Sequence, residues 1–171
     1  MSHSGAVRHI VLLGQMGSGK TTVGGIVAQR LGRPFIDGDA KLVARTGRTG
    51  REIAVADGIP ALHAIEHSIA AAALGLTTPA VIAPAASVVD FPDAVSALGG
   101  HVCVWLWANT STLAARRPAG THRRTVDADE AERLGGRRTT YAALAAAGFN
   151  TGAVSAAVTA AAIVALVDEQ A

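Results

Sequence analysis

The fold this sequence predicts is α/β: three layers, with a central parallel sheet of about five strands and helices on both faces. Three observations predict it. Short apolar, β-branched runs alternate with longer segments of helical periodicity along the whole chain, as parallel strands joined by crossover helices require. Half of the 171 residues are apolar but only 4% are aromatic, so the core must be built from Ala, Val, Leu and Ile between closely spaced layers. An apolar run also passes into the glycine-rich stretch Gly14 to Gly19 and straight on into a helical pattern. A chain of this length buries roughly 70% of its unfolded surface as one domain, and no repeat or linker divides residues 1–171.

The elements follow in order. Val7 to Leu13 reads as a buried strand, Lys20 to Leu31 as a helix closed by Gly32, and Pro34 to Ile36 as a second strand leading to Asp37 and Asp39. Asp39 is placed to cap the next helix, which Gly47 ends. Thr49 and Glu52 have capping-box spacing for a short helix from Gly50 to Ala56. Pro60 opens a helix that runs through Leu74. Ala80 to Ala83 is a strand, Pro92 to Leu98 a helix, Val102 to Trp107 a buried strand, and Thr110 to Arg117 a helix. Pro118 to Gly136 is polar and lacks periodicity, which marks a lid or loop of the kind that is functional in compact domains. Gly136 to Ala147 returns to helix, Phe149 to Thr151 gives a last strand, and Ser155 to Val167 a terminal helix.

Composition narrows the function classes. The net charge of +2 is too small to argue for nucleic-acid binding. The apolar runs fall short of the ~20 residues of a membrane span, and Met1 to Gly5 lacks the apolar segment of a signal peptide, so a cytoplasmic location and no membrane partner are expected. A monomer is expected as well. Cys103 sits within an apolar run and reads as a small buried hydrophobe. Positive charge is unevenly spread, however. Arg116, Arg117, Arg123, Arg124, Arg133, Arg137 and Arg138 cluster in one stretch, where they could hold a polyanionic ligand.

Gly14-Gln15-Met16-Gly17-Ser18-Gly19-Lys20-Thr21 matches G-x-x-x-x-G-K-[ST], the P-loop. Its glycines let backbone N–H groups turn toward phosphates, and the helix N-terminus adds partial positive charge. Lys20 can reach the β and γ phosphates, the Thr21 hydroxyl can ligate Mg²⁺, and Gly14, Gly17, Ser18, Gly19, Lys20, Thr21 and Thr22 are the nucleotide-binding candidates, with Arg116 beyond them. The predicted fold is therefore a P-loop NTPase fold, and ATP and Mg²⁺ are the expected cofactors.

From about Ile10 onward the chain resembles the shikimate kinases. The resemblance rests on GQMGSGKTTVG at Gly14 to Gly24, RLGRPFIDGDA at Arg30 to Ala40, RTGRT at Arg45 to Thr49, the pair Ile65-Glu66, and Arg137 four residues before Tyr141. It implies that Asp37 helps hold Mg²⁺ with Thr21, that Asp39 contacts the acceptor hydroxyl, that Arg137 grips a substrate carboxylate, and that Arg123 reaches the transferring phosphate. The implied activity is ATP-dependent phosphoryl transfer to a hydroxyl of a small hydroxylated carboxylic acid, with Lys20, Asp39 and Arg123 catalytic. Phosphoryl transfer needs that arrangement, cations converging on the γ-phosphate and one carboxylate orienting the attacking hydroxyl.

The sequence departs from the family pattern in three places. Ala85, Ala86 and Ser87 replace three glycines that approach the acceptor, and His63 replaces one of two carboxylate-gripping arginines. The last loop, Gly152 to Ser155, lacks the family's arginine near the adenine. The substrate-binding candidates are accordingly Asp39, His63, Ala85, Ala86, Ser87 and Arg137, with an acceptor that can differ from shikimate. Two other readings stand beside this one. A homologue that binds nucleotide but has lost catalysis would show such substitutions, and His63, Glu66 and His67 spell H-x-x-E-H, a zinc-hydrolase pattern.

Overall fold

The computed structural model describes residues 7–116 and 128–169. Five parallel strands, β1 (Ile10–Leu13), β2 (Phe35–Asp37), β3 (Val81–Ala83), β4 (Val102–Trp107) and β5 (Ala147–Asn150), form one sheet in the order β2-β3-β1-β4-β5. Between them run helices α1 (Lys20–Leu31), α2 (Gly38–Thr46), α3 (Gly50–Ala56), α4 (Ile59–Leu74), α5 (Pro92–Leu98), α6 (Thr110–Ala115), α7 (Ala128–Leu144) and α8 (Ala156–Asp168), and a 3₁₀ turn spans Ala86–Asp90.

Alternation along the strands sorts the core into two layers. Ile10 and Leu12 of β1 face one side, where they pack with Val23 and Val27 of α1 and Ile163 of α8. Val11 and Leu13 face the other side, against Ala70 and Ala73 of α4, Leu98 of α5 and Tyr141 of α7. All of the β1 side chains are buried, each contributing roughly 1.5–3 kcal/mol relative to exposure. Small residues let the layers approach. A Cβ on Gly24 would sit 2.4 Å from the Phe35 ring, so any side chain there would force that ring out of its place between α1 and β2. Among the described residues no helix is long and apolar enough to cross a membrane.

The sequence expectation for the fold holds, including the number and direction of strands, while four local readings change. The segment read as a lid, 118–136, is already helical from Ala128, and α7 runs on through Gly135 and Gly136; 118–127 lies outside the described residues. The run Ala-Asp-Glu-Ala-Glu-Arg-Leu is made largely of good helix formers. Further along, the Thr139 and Thr140 hydroxyls donate to the Gly135 and Gly136 carbonyls, which fastens the helix across its two glycines. The last strand falls earlier than expected, at Ala147–Asn150, because it pairs with Val104 to Trp107 of β4. The first strand is shorter than Val7 to Leu13, its register with β3 and β4 beginning at Ile10. Finally, the cap of α2 is Asp37 rather than Asp39: Asp37 Oδ1 accepts from the Asp39 and Ala40 amides at 2.9 and 3.2 Å.

Candidate active site

Every strand is parallel, so the β1 and β3 exits open at the same edge of the sheet, beside the point where strand order reverses around β1. Ligands bind such edges in α/β folds. Gly14 leaves β1 with φ +148°, and a Cβ there would stand 2.3 Å from the Leu106 carbonyl oxygen, so the loop can pass β4 only as glycine. The loop then wraps the start of α1. Lys20 Nζ reaches back to donate to the Gly14 and Gln15 carbonyls at 2.7 and 3.2 Å. Burial pushes the Lys20 pKa down to about 8, against the pull of Asp39, Asp37 and Glu66.

Thr21 Oγ1 donates to Asp37 Oδ2 at 2.6 Å. Hydroxyl and carboxylate thus meet at the mouth of the loop, and these hard oxygen donors suit Mg²⁺, which takes few protein ligands and keeps water. Gly38, between the two aspartates, lies so close to the end of β3 that a Cβ would meet the Ala83 carbonyl oxygen at 3.1 Å and the Ala85 amide nitrogen at 3.2 Å. That approach, together with the pairing of Asp37 with Ala83, brings the aspartates beside residues 85–87. Because Asp37 does the capping, the Asp39 carboxylate is left to face the cleft. Burial raises the Asp39 pKa, Lys20 opposes that rise and Asp37 adds to it.

These groups line one cleft of about 630 Å³. Gly17, Gly19, Lys20, Thr21, Thr22, Asp37, Asp39, His63, Ala85, Ala86, Ser87, Arg116 and Arg137, all selected from the sequence, border it. Two selected residues sit differently. Gly14 acts through its carbonyl on Lys20, and Ser18 is 1% exposed with its hydroxyl buried and without a partner among the described residues. Arg123 lies outside the described residues. Arg116 donates to the Thr151 carbonyl at 2.7 Å, the Thr151 hydroxyl at 3.1 Å and the Gly17 carbonyl at 3.3 Å. It therefore ties the loop to the turn after β5, where the family's own arginine has no counterpart.

The acceptor half contains partners that sequence reasoning missed. Glu66 of α4 accepts a hydrogen bond from the Ser87 hydroxyl, and burial raises its pKa, with the Ser87 bond working the other way and Asp39 adding to the rise. Arg137 forms a two-pronged ion pair with Asp90, Nε donating to Oδ1 at 2.8 Å and Nη2 to Oδ2. Four residues on, Tyr141 donates to the Ala86 carbonyl at 2.6 Å, so one face of α7 holds both ends of the 3₁₀ turn. His63 is pushed down in pKa by burial and then by Arg137, which favours its neutral form. Glu66 was marked by the Ile65-Glu66 signature and by the H-x-x-E-H pattern, but neither pointed to Ser87, and nothing in the sequence marked Asp90.

The zinc pattern does not assemble. His67 pairs with Asp93 at 2.8 Å and stacks on Phe91, while His63 faces the cleft. Among the described residues no group of three or more His, Cys, Asp or Glu is arranged to hold a metal ion.

With this geometry in view, a family model described as shikimate kinase matches residues 16–167. The chain belongs to the shikimate kinase family. Among similar relatives, a shikimate kinase of Symbiobacterium thermophilum is 37% identical over 117 residues, 68% of this chain and 67% of that protein. One from Thermobifida fusca is 38% identical over 106 residues, 62% of this chain and 61% of that protein. The matched segments thus span about two thirds or less of these relatives' own length. The shikimate kinase from Acinetobacter baumannii, solved in complex with shikimate, superposes with a TM-score of 0.82 over 97% of this chain and 96% of its own, at 23% identity. That likeness shows the family fold carried through the whole described chain.

Proposed function

We propose that residues 1–171 act as one catalytic domain that transfers the γ-phosphoryl group of Mg²⁺–ATP to a hydroxyl of a small hydroxylated carboxylic acid. The observation that carries this reading is the convergence of Lys20, the Thr21–Asp37 pair and Asp39 on the cleft that also holds His63, residues 85–87 and Arg137. Nucleotide phosphates bind against the loop amides, and Lys20 exchanges its bonds to the Gly14 and Gln15 carbonyls for phosphate oxygens. Thr21 and Asp37 would hold Mg²⁺, which would supply neutralisation of the phosphate charge. Arg123 is assigned to the transferring phosphate by family resemblance.

Asp39 orients the acceptor hydroxyl and takes its proton. The acceptor oxygen forms a bond to the γ-phosphorus as the bond to the β,γ-bridging oxygen breaks, and ADP leaves with that electron pair. Burial raises the Asp39 pKa, with the Lys20 charge working against the rise, and a raised pKa makes its carboxylate a better proton acceptor. Arg137 is the remaining arginine for the acceptor carboxylate. His63, neutral and without a fork of donors, is a weaker substitute for the second. The methyl groups of Ala85 and Ala86 narrow the acceptor side.

A screen of hydroxylated acids for ADP formation tests this. Acceptor-dependent, Mg²⁺-dependent ADP release that is lost in Asp39→Asn is expected. Nucleotide binding with no acceptor-stimulated turnover across the panel would leave a binding protein and overturn the reading.

A further inference from the structure

The Arg137–Asp90 pair bears on which acceptors the cleft admits. Arg137 lines the cleft with His63, Glu66 and Ser87, and its side chain is only 12% exposed; that of Asp90 is 24% exposed. Two N–H groups on one edge of the guanidinium are committed to both oxygens of the Asp90 carboxylate. This parallel arrangement is the one in which arginine recognises a carboxylate ligand. Asp90 therefore presents to Arg137 the chemistry that an acceptor acid would present.

The surroundings sharpen the competition. Asp39 and Glu66 already place two carboxyl groups in the cleft, and His63 stands where a second arginine would add positive charge. Burial works against the charge on Arg137, and the Asp90 hydrogen bonds and charge outweigh it, raising its pKa. An incoming carboxylate either displaces Asp90 from Arg137 or binds a guanidinium whose charge is already matched. Both routes penalise an anion and leave an uncharged acceptor of the same shape untouched.

We propose that Asp90 is a specificity-determining residue of the acceptor half: it competes for the carboxylate-binding edge of Arg137 and so reduces the advantage that an acidic acceptor holds over an uncharged one of the same shape. This rests on the kinase reading above, since it assigns Arg137 to the acceptor.

The test compares shikimate with its methyl ester, identical in hydroxyls but uncharged, by titration calorimetry on the full chain with Mg²⁺–ADP, in the parent, Asp90→Asn and Asp90→Ser. Removing the charge is expected to shift the ratio of affinities toward the acid by about tenfold or more, the scale of one charge-assisted contact. Asp90→Ser, smaller and equally uncharged, is expected to shift it the same way. An unchanged ratio in both variants, or weaker binding of the acid, would make Asp90 a mere support for Arg137 and overturn the proposal. These outcomes differ from failure of the kinase reading, in which no hydroxylated acceptor is phosphorylated whatever residue stands at position 90.

Discussion

Thr21 and Asp37 are joined across the nucleotide loop by a 2.6 Å hydrogen bond, while the second carboxylate oxygen of Asp37 caps α2. One side chain thus anchors a helix and completes an oxygen pair suited to Mg²⁺, and the two roles separate by substitution. Asp37→Asn keeps a good N-cap, so its thermal midpoint should stay close to the parent's, whereas Asp37→Ala should lose about 1 kcal/mol. Both should require more Mg²⁺ for half-maximal activity. Melting curves alongside Mg²⁺ titrations check this, and an unchanged Mg²⁺ requirement in Asp37→Asn would remove the metal role.

Lys20 is the cation that the loop folds around. Lys20→Ala should weaken Mg²⁺–ATP binding by about tenfold or more, because charged hydrogen bonds contribute roughly 1.5–3 kcal/mol. Equal ATP affinity in parent and variant by titration calorimetry would sink the loop assignment.

The same lysine gives a pH signature. With its pKa lowered to about 8 by burial, Lys20 is charged at neutral pH and loses its proton as pH rises through that value. Because kcat/KM reports the free enzyme, kcat/KM for ATP should fall above pH about 8. Bound phosphate restabilises the ammonium, so kcat should hold to higher pH. A pH–rate profile in which both parameters stay flat to pH 10 would contradict the buried lysine.

Glu66 trades stability for position. Its pKa is raised above the ordinary 4.5, so the folded state binds this proton more tightly than the unfolded chain. Stability from this group is therefore greatest below pH 4.5 and declines as pH rises through the folded pKa. Glu66→Gln, which can still accept from Ser87, should be more stable than the parent at pH 7 and no more stable at pH 4. Denaturant midpoints at the two pH values measure the difference.

What the sequence disclosed divides along physical lines. The loop was legible because a glycine, a lysine and a hydroxyl at fixed spacing satisfy a backbone requirement that few other structures share. Asp37 and Asp39 were legible as a pair but not in their division of labour. Either could cap α2, and it is Asp37 Oδ1 that accepts from the Asp39 and Ala40 amides because the helix already begins at Gly38. The pairs Glu66–Ser87 and Arg137–Asp90 join residues 21 and 47 positions apart, and no local pattern announces them. The start of α7 was hidden by a weak periodicity and two glycines that ordinarily mark a break.

Steady-state kinetics with Mg²⁺–ATP and shikimate discriminate a family phosphate site joined to an altered acceptor site from one joined to an unaltered acceptor site. Replacing a charge-assisted bidentate contact at His63 and adding methyl groups at Ala85 and Ala86 should together cost a hundredfold or more in turnover, at ~1.4 kcal/mol per tenfold. The predicted result is a kcat/KM for shikimate well below ~10⁴ M⁻¹s⁻¹ that rises when His63→Arg is combined with glycines at positions 85, 86 and 87. A parent kcat/KM within the ~10⁴–10⁸ M⁻¹s⁻¹ of enzymes acting on their own substrates would contradict it.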